Sequence, residues 1–286
     1  MELRNFESLA SAEDLRPFVR RYLYANRRLD ADLTVHAKPT GYTYLSSFFG
    51  QNYGDCGVVD GRAFRRTSRW FFLGMLTDHD VVFHHVRSLQ LIVTELAATG
   101  HYRLFGIPGR CVLGMAASLH EVTSDSVAEI ARTCLVLGPD ASRTDHVTES
   151  NAFFRRLAEN ALPEDVAVER AVSLIESEMG AVRIGEIGER LGIGSRELNR
   201  RFTRIIGMSP KVFARIMQIN WAIGLLYAND KSALANIAQE AGFYDQAHFN
   251  HAMRRFFNEG PREFLLGEHP TFRSFLAGSR RFGPKS

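Results

Sequence analysis

Four polar residues, Arg196, Asn199, Arg200 and Thr203, follow one another at intervals of three, one and three. On an α-helix that spacing gathers them on one face. Their chemistry suits the reading of nucleic-acid bases. A guanidinium spans O6 and N7 of guanine, and a carboxamide spans N6 and N7 of adenine. Fifty-one residues further on, Ala247, Asn250, His251 and Arg254 repeat the same intervals, with Gln246 beside them. Gln and Asn match adenine, and an Ala methyl can touch a thymine methyl. A merely solvated helix face would also carry Arg and Asn, so the assignment depends on the elements that hold these faces.

Those elements form a repeat. Ile184, Ile187, Gly192, Ile193, Leu198, Phe202, Gly207, Pro210 and Phe213 recur as Leu234, Ile237, Gly242, Phe243, Phe249, Met253, Asn258, Pro261 and Phe264. The offset is 50 up to the turn and 51 after it, so the second copy has one extra residue in its turn. Each copy predicts a helix, a tight turn and a second helix, the helix-turn-helix pattern whose second helix enters the DNA major groove. Gly192 and Gly242 are the turn residues. Leu198, Phe202 and Ile205 form the inward stripe of the first reader, and Phe249, Met253 and Phe256 that of the second. Gly207 ends the first reader, and Asn258, the next best residue for a left-handed backbone, ends the second. Asp245 is the expected cap of the second reader, and His248 is read as a structural histidine bonded to the turn. Pro210 and Pro261 sit where a helix tolerates proline, near its start. Pro210 to about Ala228 reads as one connecting helix on the order of 24 Å long. Tandem readers on such a spacer predict an asymmetric site spanning successive grooves, roughly 34 Å apart, and a bent duplex.

Other chemistry finds less support. Asp78-His79-Asp80 and His84-His85 contain metal-ligating types, but neighbouring strand residues point to opposite faces. No HExxH, CxxC or GxSxG frame and no glycine-rich phosphate loop accompanies them. A metal-dependent enzyme in the N-terminal part is the remote alternative. A helix-turn-helix protein that binds other proteins without a specific DNA target is the other. No catalytic residue, metal site or cofactor is expected.

The whole chain has 286 residues and a net charge of +3. Residues 1–162 hold 18 basic and 18 acidic side chains and residues 163–286 hold 17 and 14, so the excess lies with the repeat. Cys56, Cys111 and Cys134 are far apart and read as thiols of a reducing compartment. The longest apolar run, Trp70–Leu76, is too short for a membrane span, and the N-terminus lacks an apolar leader core; a cytoplasmic protein without membrane contact is expected. Short aromatic runs such as Tyr42–Phe49, Trp70–Leu73 and Leu89–Thr94 predict strands. The fold class is then α+β: a β-rich mixed, sensor-like domain over residues 1–145 precedes an all-α domain of about seven helices. Residues 146–164 read as a linker with a helix within it, 165–268 as the domain with two helix-turn-helix units, and 269–286 as a tail.

The segments Ile237-Ala-Gln-Glu-Ala-Gly-Phe-Tyr-Asp-Gln-Ala-His-Phe249, Met253-Arg-Arg-Phe-Phe and Pro261-Arg-Glu-Phe264 closely resemble the signature of the AraC/XylS transcription regulators. So do Leu191-Gly-Ile-Gly-Ser-Arg-Glu-Leu198 and Gly207-Met-Ser-Pro210. The resemblance implies a double-stranded DNA partner, contact with RNA polymerase, and control by the N-terminal domain through an effector or oligomerisation. It leaves open whether a small-molecule effector or a homodimer is used, and whether genes are activated or repressed. Three departures bear on the second unit: His251 stands where the family usually has Arg, Ala247 where it has Ser, and Gln218 where it has Arg. The second unit is therefore expected to read DNA more weakly.

Overall fold

The computed structural model describes residues 6–50, 56–66, 68–78, 81–228, 233–267 and 269–277. Among these residues nine strands come first: β1 (Glu7–Ala10), β2 (Val19–Arg28), β3 (Leu33–Ala37), β4 (Tyr44–Phe48), β5 (Cys56–Val59), β6 (Arg62–Arg65), β7 (Trp70–Leu73), β8 (Val81–His85) and β9 (Ser88–Leu96). Helices α1 (Gly100–Phe105) and α2 (Gly109–Val112), strand β10 (Ala116–Ser118), and helices α3 (Leu119–Val122), α4 (Asp125–Cys134) and α5 (Arg143–Ala158) complete the N-terminal half. The expected strands are present at β4, β7 and β9. They arise where β-branched and aromatic residues fit a pleated, half-buried surface.

All strand pairs are antiparallel. They form a six-stranded sheet in the order β1-β2-β9-β4-β7-β10 and a four-stranded sheet in the order β3-β8-β5-β6. The aromatics Tyr42, Tyr44, Phe48, Phe49, Phe71 and Phe72 are buried, mostly as core. His84 and His85 diverge on β8 as the strand period requires: His84 Nδ1 lies 3.1 Å from Thr34 Oγ1, whereas His85 is buried beside Phe48 and Phe83. His79 and Asp80 lie outside the described residues. Among the described residues, no three metal-ligating side chains cluster.

Most of the stretch 146–164, read as a linker, is helix α5. Its Phe153, Phe154 and Leu157 enter the core, and Tyr22 Oη donates to its Asn151 at 2.9 Å.

Among the described residues, seven helices then fall within 165–268: α6 (Val166–Ser177), α7 (Ile184–Leu191), α8 (Ser195–Ile206), α9 (Pro210–Ala228), α10 (Leu234–Glu240), α11 (Gln246–Phe257) and α12 (Pro261–Leu266). A further helix, α13 (Pro270–Ala277), occupies part of the expected tail and returns to the N-terminal domain. Helix α9 has 19 residues and is buried on most sides through Phe213, Ile216, Met217, Ile219, Ile223 and their neighbours. At about 1.5 Å per residue it is roughly 28 Å long. Among the described residues, no helix is long and apolar enough to cross a membrane.

Candidate nucleic-acid interface

Helices α7 and α8 meet at Gly192, whose φ of 65° is the left-handed conformation expected of the turn. Ile193 N donates to Gly188 O at 3.0 Å and closes it. Helix α8 buries Leu198, Phe202, Ile205 and Ile206. With that stripe fixed, Arg196, Asn199, Arg200 and Arg204 are exposed and Thr203 is half-buried. Arg200 is held by Glu197 in a two-pronged ion pair, Nε–Oε2 2.8 Å and Nη2–Oε1 2.7 Å. On the flank, Arg201 Nε donates to Asp165 Oδ2 at 2.8 Å, and Asp165 also caps α6 by accepting from Val168 N at 3.2 Å. Burial alone would raise the Asp165 carboxyl, but the Arg201 and Val168 hydrogen bonds outweigh it and hold it below the usual carboxylate range.

The second unit solves the same problem differently. Gly242 takes φ 77°, and Phe243 N donates to Ala238 O at 2.8 Å. When Gly194 and Asp245, which both precede a reader helix, are superimposed in register, the extra residue is Tyr244. Its side chain is 92% exposed, against 4% for Phe243. Asp245 Oδ1 accepts from His248 N at 2.7 Å, and His248 Nδ1 accepts a long bond of 3.5 Å from Tyr244 N. The ring of His248 stands edge-on to Phe243, 5.5 Å between centroids. Buried Gln218 of α9 donates to Ala241 O at 2.9 Å and accepts from Arg215 at 2.8 Å. At the position where the resemblance would place Arg, Gln218 thus bonds the turn.

On the outer face of α11, Ala247, His251 and Arg254 are exposed, whereas Gln246 and Asn250 are half-buried. Asn250 Oδ1 is buried with no hydrogen-bond partner. A two-point adenine contact needs that oxygen, so the Asn250 side chain must swing out to make one. Arg254 lies 3.6 Å from Glu263. Both units end on a left-handed residue, Gly207 at φ 98° and Asn258 at φ 59°. Pro210 opens α9 and Pro261 opens α12.

The N-terminal domain grips this assembly, which residue patterns alone had not disclosed. A Cβ on Gly109 of α2 would lie 2.2 Å from Gly207 N, and one on Gly207 would lie 2.3 Å from Gly109 O. Only two glycines allow these backbones to meet. His101 of α1, fully buried, bonds Ile205 O through Nε2 at 2.9 Å. The acceptor is a carbonyl, so Nε2 carries the proton and Nδ1 is left buried without a partner. Burial pushes the imidazole down to about 4, against the opposing pull of the Ile205 carbonyl.

A second grip is a buried polar network. Arg20 reaches Glu95 at 2.9 Å and Glu176 of α6 at 3.0 Å, Arg21 reaches Glu95 at 2.8 Å, and Tyr42 Oη donates to Glu176 at 2.6 Å. Burial alone would raise the Glu95 carboxyl; Arg21 and Arg20 outweigh it and hold it low. Arg21 also donates to Phe275 O of α13. Asn220 of α9 donates to Thr40 O at 3.2 Å.

Between the two sheets lies an apolar cavity of about 90 Å³, lined by Phe48, Phe71 and Leu91 of one sheet and Phe83 of the other. Phe272 and Phe275 of α13 close it, and Lys38 and His36 sit at its wall. Lys38 also pairs with Glu259 and donates to Phe257 O at 3.2 Å, both just beyond or at the end of the second reader.

Fold and site define a β-rich domain packed on a helical domain with two helix-turn-helix units. Residues 187–266 match the family described as "Helix-turn-helix domain". The matched stretch contains both α8 and α11. Solved structures that align with it include ToxT from Vibrio cholerae, 13% identical over 83% of this chain and 98% of that chain, with a TM-score of 0.44. Unsaturated fatty acid bound wild-type ToxT from Vibrio cholerae strain SCE256 is 13% identical over 84% of this chain and 96% of that chain, TM-score 0.43. A transcriptional regulator from Chromobacterium violaceum, of the AraC-type DNA-binding domain-containing proteins, is 24% identical over 38% and 92%, TM-score 0.32. No curated protein sequence matches the chain.

Proposed function

We propose that the chain reads an asymmetric double-stranded DNA site, with α8 and α11 in successive major grooves and the N-terminal domain controlling when it does so. The observation that carries this reading is the pair of reader helices with outward polar faces, joined by one buried 19-residue helix. Arg196, Asn199, Arg200 and Thr203 are the base-reading set of the first unit, and Gln246, Ala247, Asn250, His251 and Arg254 that of the second.

Control has a physical route. A cavity of about 90 Å³ is smaller than the roughly 150 Å³ apolar cavity that admits benzene. A larger apolar effector would have to move lining side chains, and Phe272 and Phe275 of α13 are among them; the Phe275 carbonyl is held by Arg21. Contact with RNA polymerase and self-association belong to the same reading as downstream steps.

The test is gel-shift titration of the full chain against genomic fragments, followed by mapping of bound sites in cells. Salt-sensitive binding to an asymmetric site, at least a thousandfold tighter than to random DNA, is expected. Equal affinity for all duplexes would leave a protein-binding role for the helix-turn-helix pair.

A further inference from the structure

The four-residue helix α2 places one more arginine beside the first reader. Arg110 is exposed, and it lines one groove together with Arg196, Asn199, Arg200, Thr203 and Arg204 of α8. Its neighbour Gly109 is in backbone contact with Gly207, and the His101 side chain bonds the Ile205 carbonyl, so Arg110 is positioned relative to α8 by two contacts to the end of the reader. Four guanidinium groups therefore converge on one concave surface. Arg200 has Glu197 within 2.7 Å, and Arg204 has only Asp165 at 4.0 Å, itself engaged by Arg201. Among the described residues, neither Arg110 nor Arg196 has an ion-pair partner. Like charges gathered in a groove raise the local potential and attract a polyanion. Base edges cannot accommodate all four, and the arginine outside the reader helix is the one placed to meet the flanking backbone.

We propose that Arg110, a residue of the N-terminal domain, binds a DNA phosphate beside the major groove that α8 enters, so that the regulatory domain is itself part of the DNA interface. This rests on the reading of α8 given above. It also gives the N-terminal domain a direct handle on affinity: any shift of α2 against α8 moves a phosphate contact without touching base recognition.

The experiment compares wild type, Arg110→Ala, Arg110→Lys and Arg200→Ala in the full chain. Each is titrated with a specific and a random duplex across a salt series. Arg110→Ala is expected to weaken binding to both duplexes by the same factor, roughly three- to tenfold, to leave the specificity ratio unchanged, and to reduce the slope of log K against log salt by about 0.9. Arg110→Lys should restore most of the affinity, because a phosphate accepts a point charge. Arg200→Ala should lower the ratio of specific to random binding. Wild-type affinity and slope for Arg110→Ala, with Arg200→Ala still defective, overturns the proposal while sparing the reader helix. A loss of affinity with an unchanged salt slope overturns it as well, since a structural effect would look that way. Intact specificity in Arg200→Ala would instead sink the reading of α8.

Discussion

The two helix-turn-helix units share a backbone plan and differ in nearly everything that surrounds it. The first presents an arginine-rich face, and its reader ends against the N-terminal domain at Gly207 and Ile205. The second presents a nearly neutral face, carries the extra and almost fully exposed Tyr244, and is steadied from within by Gln218, His248 and the Asp245 cap. A duplicated motif has thus been specialised by what packs behind it: the strongly charged copy ends on the backbone of α2, whereas the weakly charged copy meets the N-terminal domain through the Lys38 side chain.

The largest expected contrast comes from emptying each core. Phe202 and Phe249 are both fully buried, and truncating either to Ala costs about 3–5 kcal/mol. Phe202→Ala should also loosen α1 and α2, because α8 is their platform, whereas Phe249→Ala should leave the N-terminal sheets intact. Hydrogen exchange resolved along the chain checks this. Equal protection of residues 88–112 in both variants would mean the first unit is no more clamped than the second.

Acid is expected to reach the first unit before the second. His101 is depressed to about 4 when folded, against about 6.5 in the unfolded chain. Its neutral form is the bonded one, so the stability it supports is complete above pH 6.5 and is lost as pH falls toward 4, by up to about 3 kcal/mol. His248 is also depressed, first by burial and then by Arg215, but it bonds only its own turn. Melting temperature against pH should fall across that window for wild type and run flatter for His101→Gln. Parallel curves would remove His101 as the sensitive group.

The C′ positions give a smaller contrast of the same sign. Ala at Gly207 meets both the left-handed backbone and the Gly109 carbonyl, 2.3 Å from its Cβ, for about 1–3 kcal/mol or more. Ala at Asn258 meets the backbone penalty alone, about 1 kcal/mol. If thermal melts show the two equal, the close approach to α2 contributes nothing.

The helical domain was legible in the sequence because its signals are local. Leu198, Phe202 and Ile205 repeat at the helical period, and Gly192, Gly207, Pro210 and Pro261 mark ends within a few residues of the elements they bound. The reading face followed from that phase. What escaped is what tertiary structure alone assembles. Strand β10, Ala-Ala-Ser, has no β propensity and exists because β7 offers an edge. Arg20, Arg21, Glu95 and Glu176 are separated by up to 156 residues and look like ordinary surface charges until the domains meet. A strand reading LIVTEL with a single carboxylate in it was the available hint. Helix α13 looked like a tail because the ring partners of Phe275, Phe6 and Tyr44, lie more than 200 residues away in sequence. Periodicity puts Asn250 on the outer face of α11, but the cover over its oxygen depends on neighbours that periodicity cannot specify.

The smallest effect tests the charge side of the comparison. Arg200 must leave Glu197 to read guanine. An exposed pair of this kind is worth about 0–1 kcal/mol, and a good two-point guanine contact about 1–3 kcal/mol, so the exchange favours DNA but at a discount. Glu197→Ala should therefore tighten specific binding, by no more than about fivefold. In register, the residue matching Glu197 in the second unit is His248, which faces its own turn. Among the described residues, His251, the counterpart of Arg200, has no acid to leave. His251→Arg should consequently add a contact without that discount, strengthening binding and steepening the salt slope by about 0.9. Should Glu197→Ala help while His251→Arg does nothing, α11 does not approach the duplex closely enough for a guanidinium to matter, and the weakness of the second unit lies in its placement rather than in its side chains.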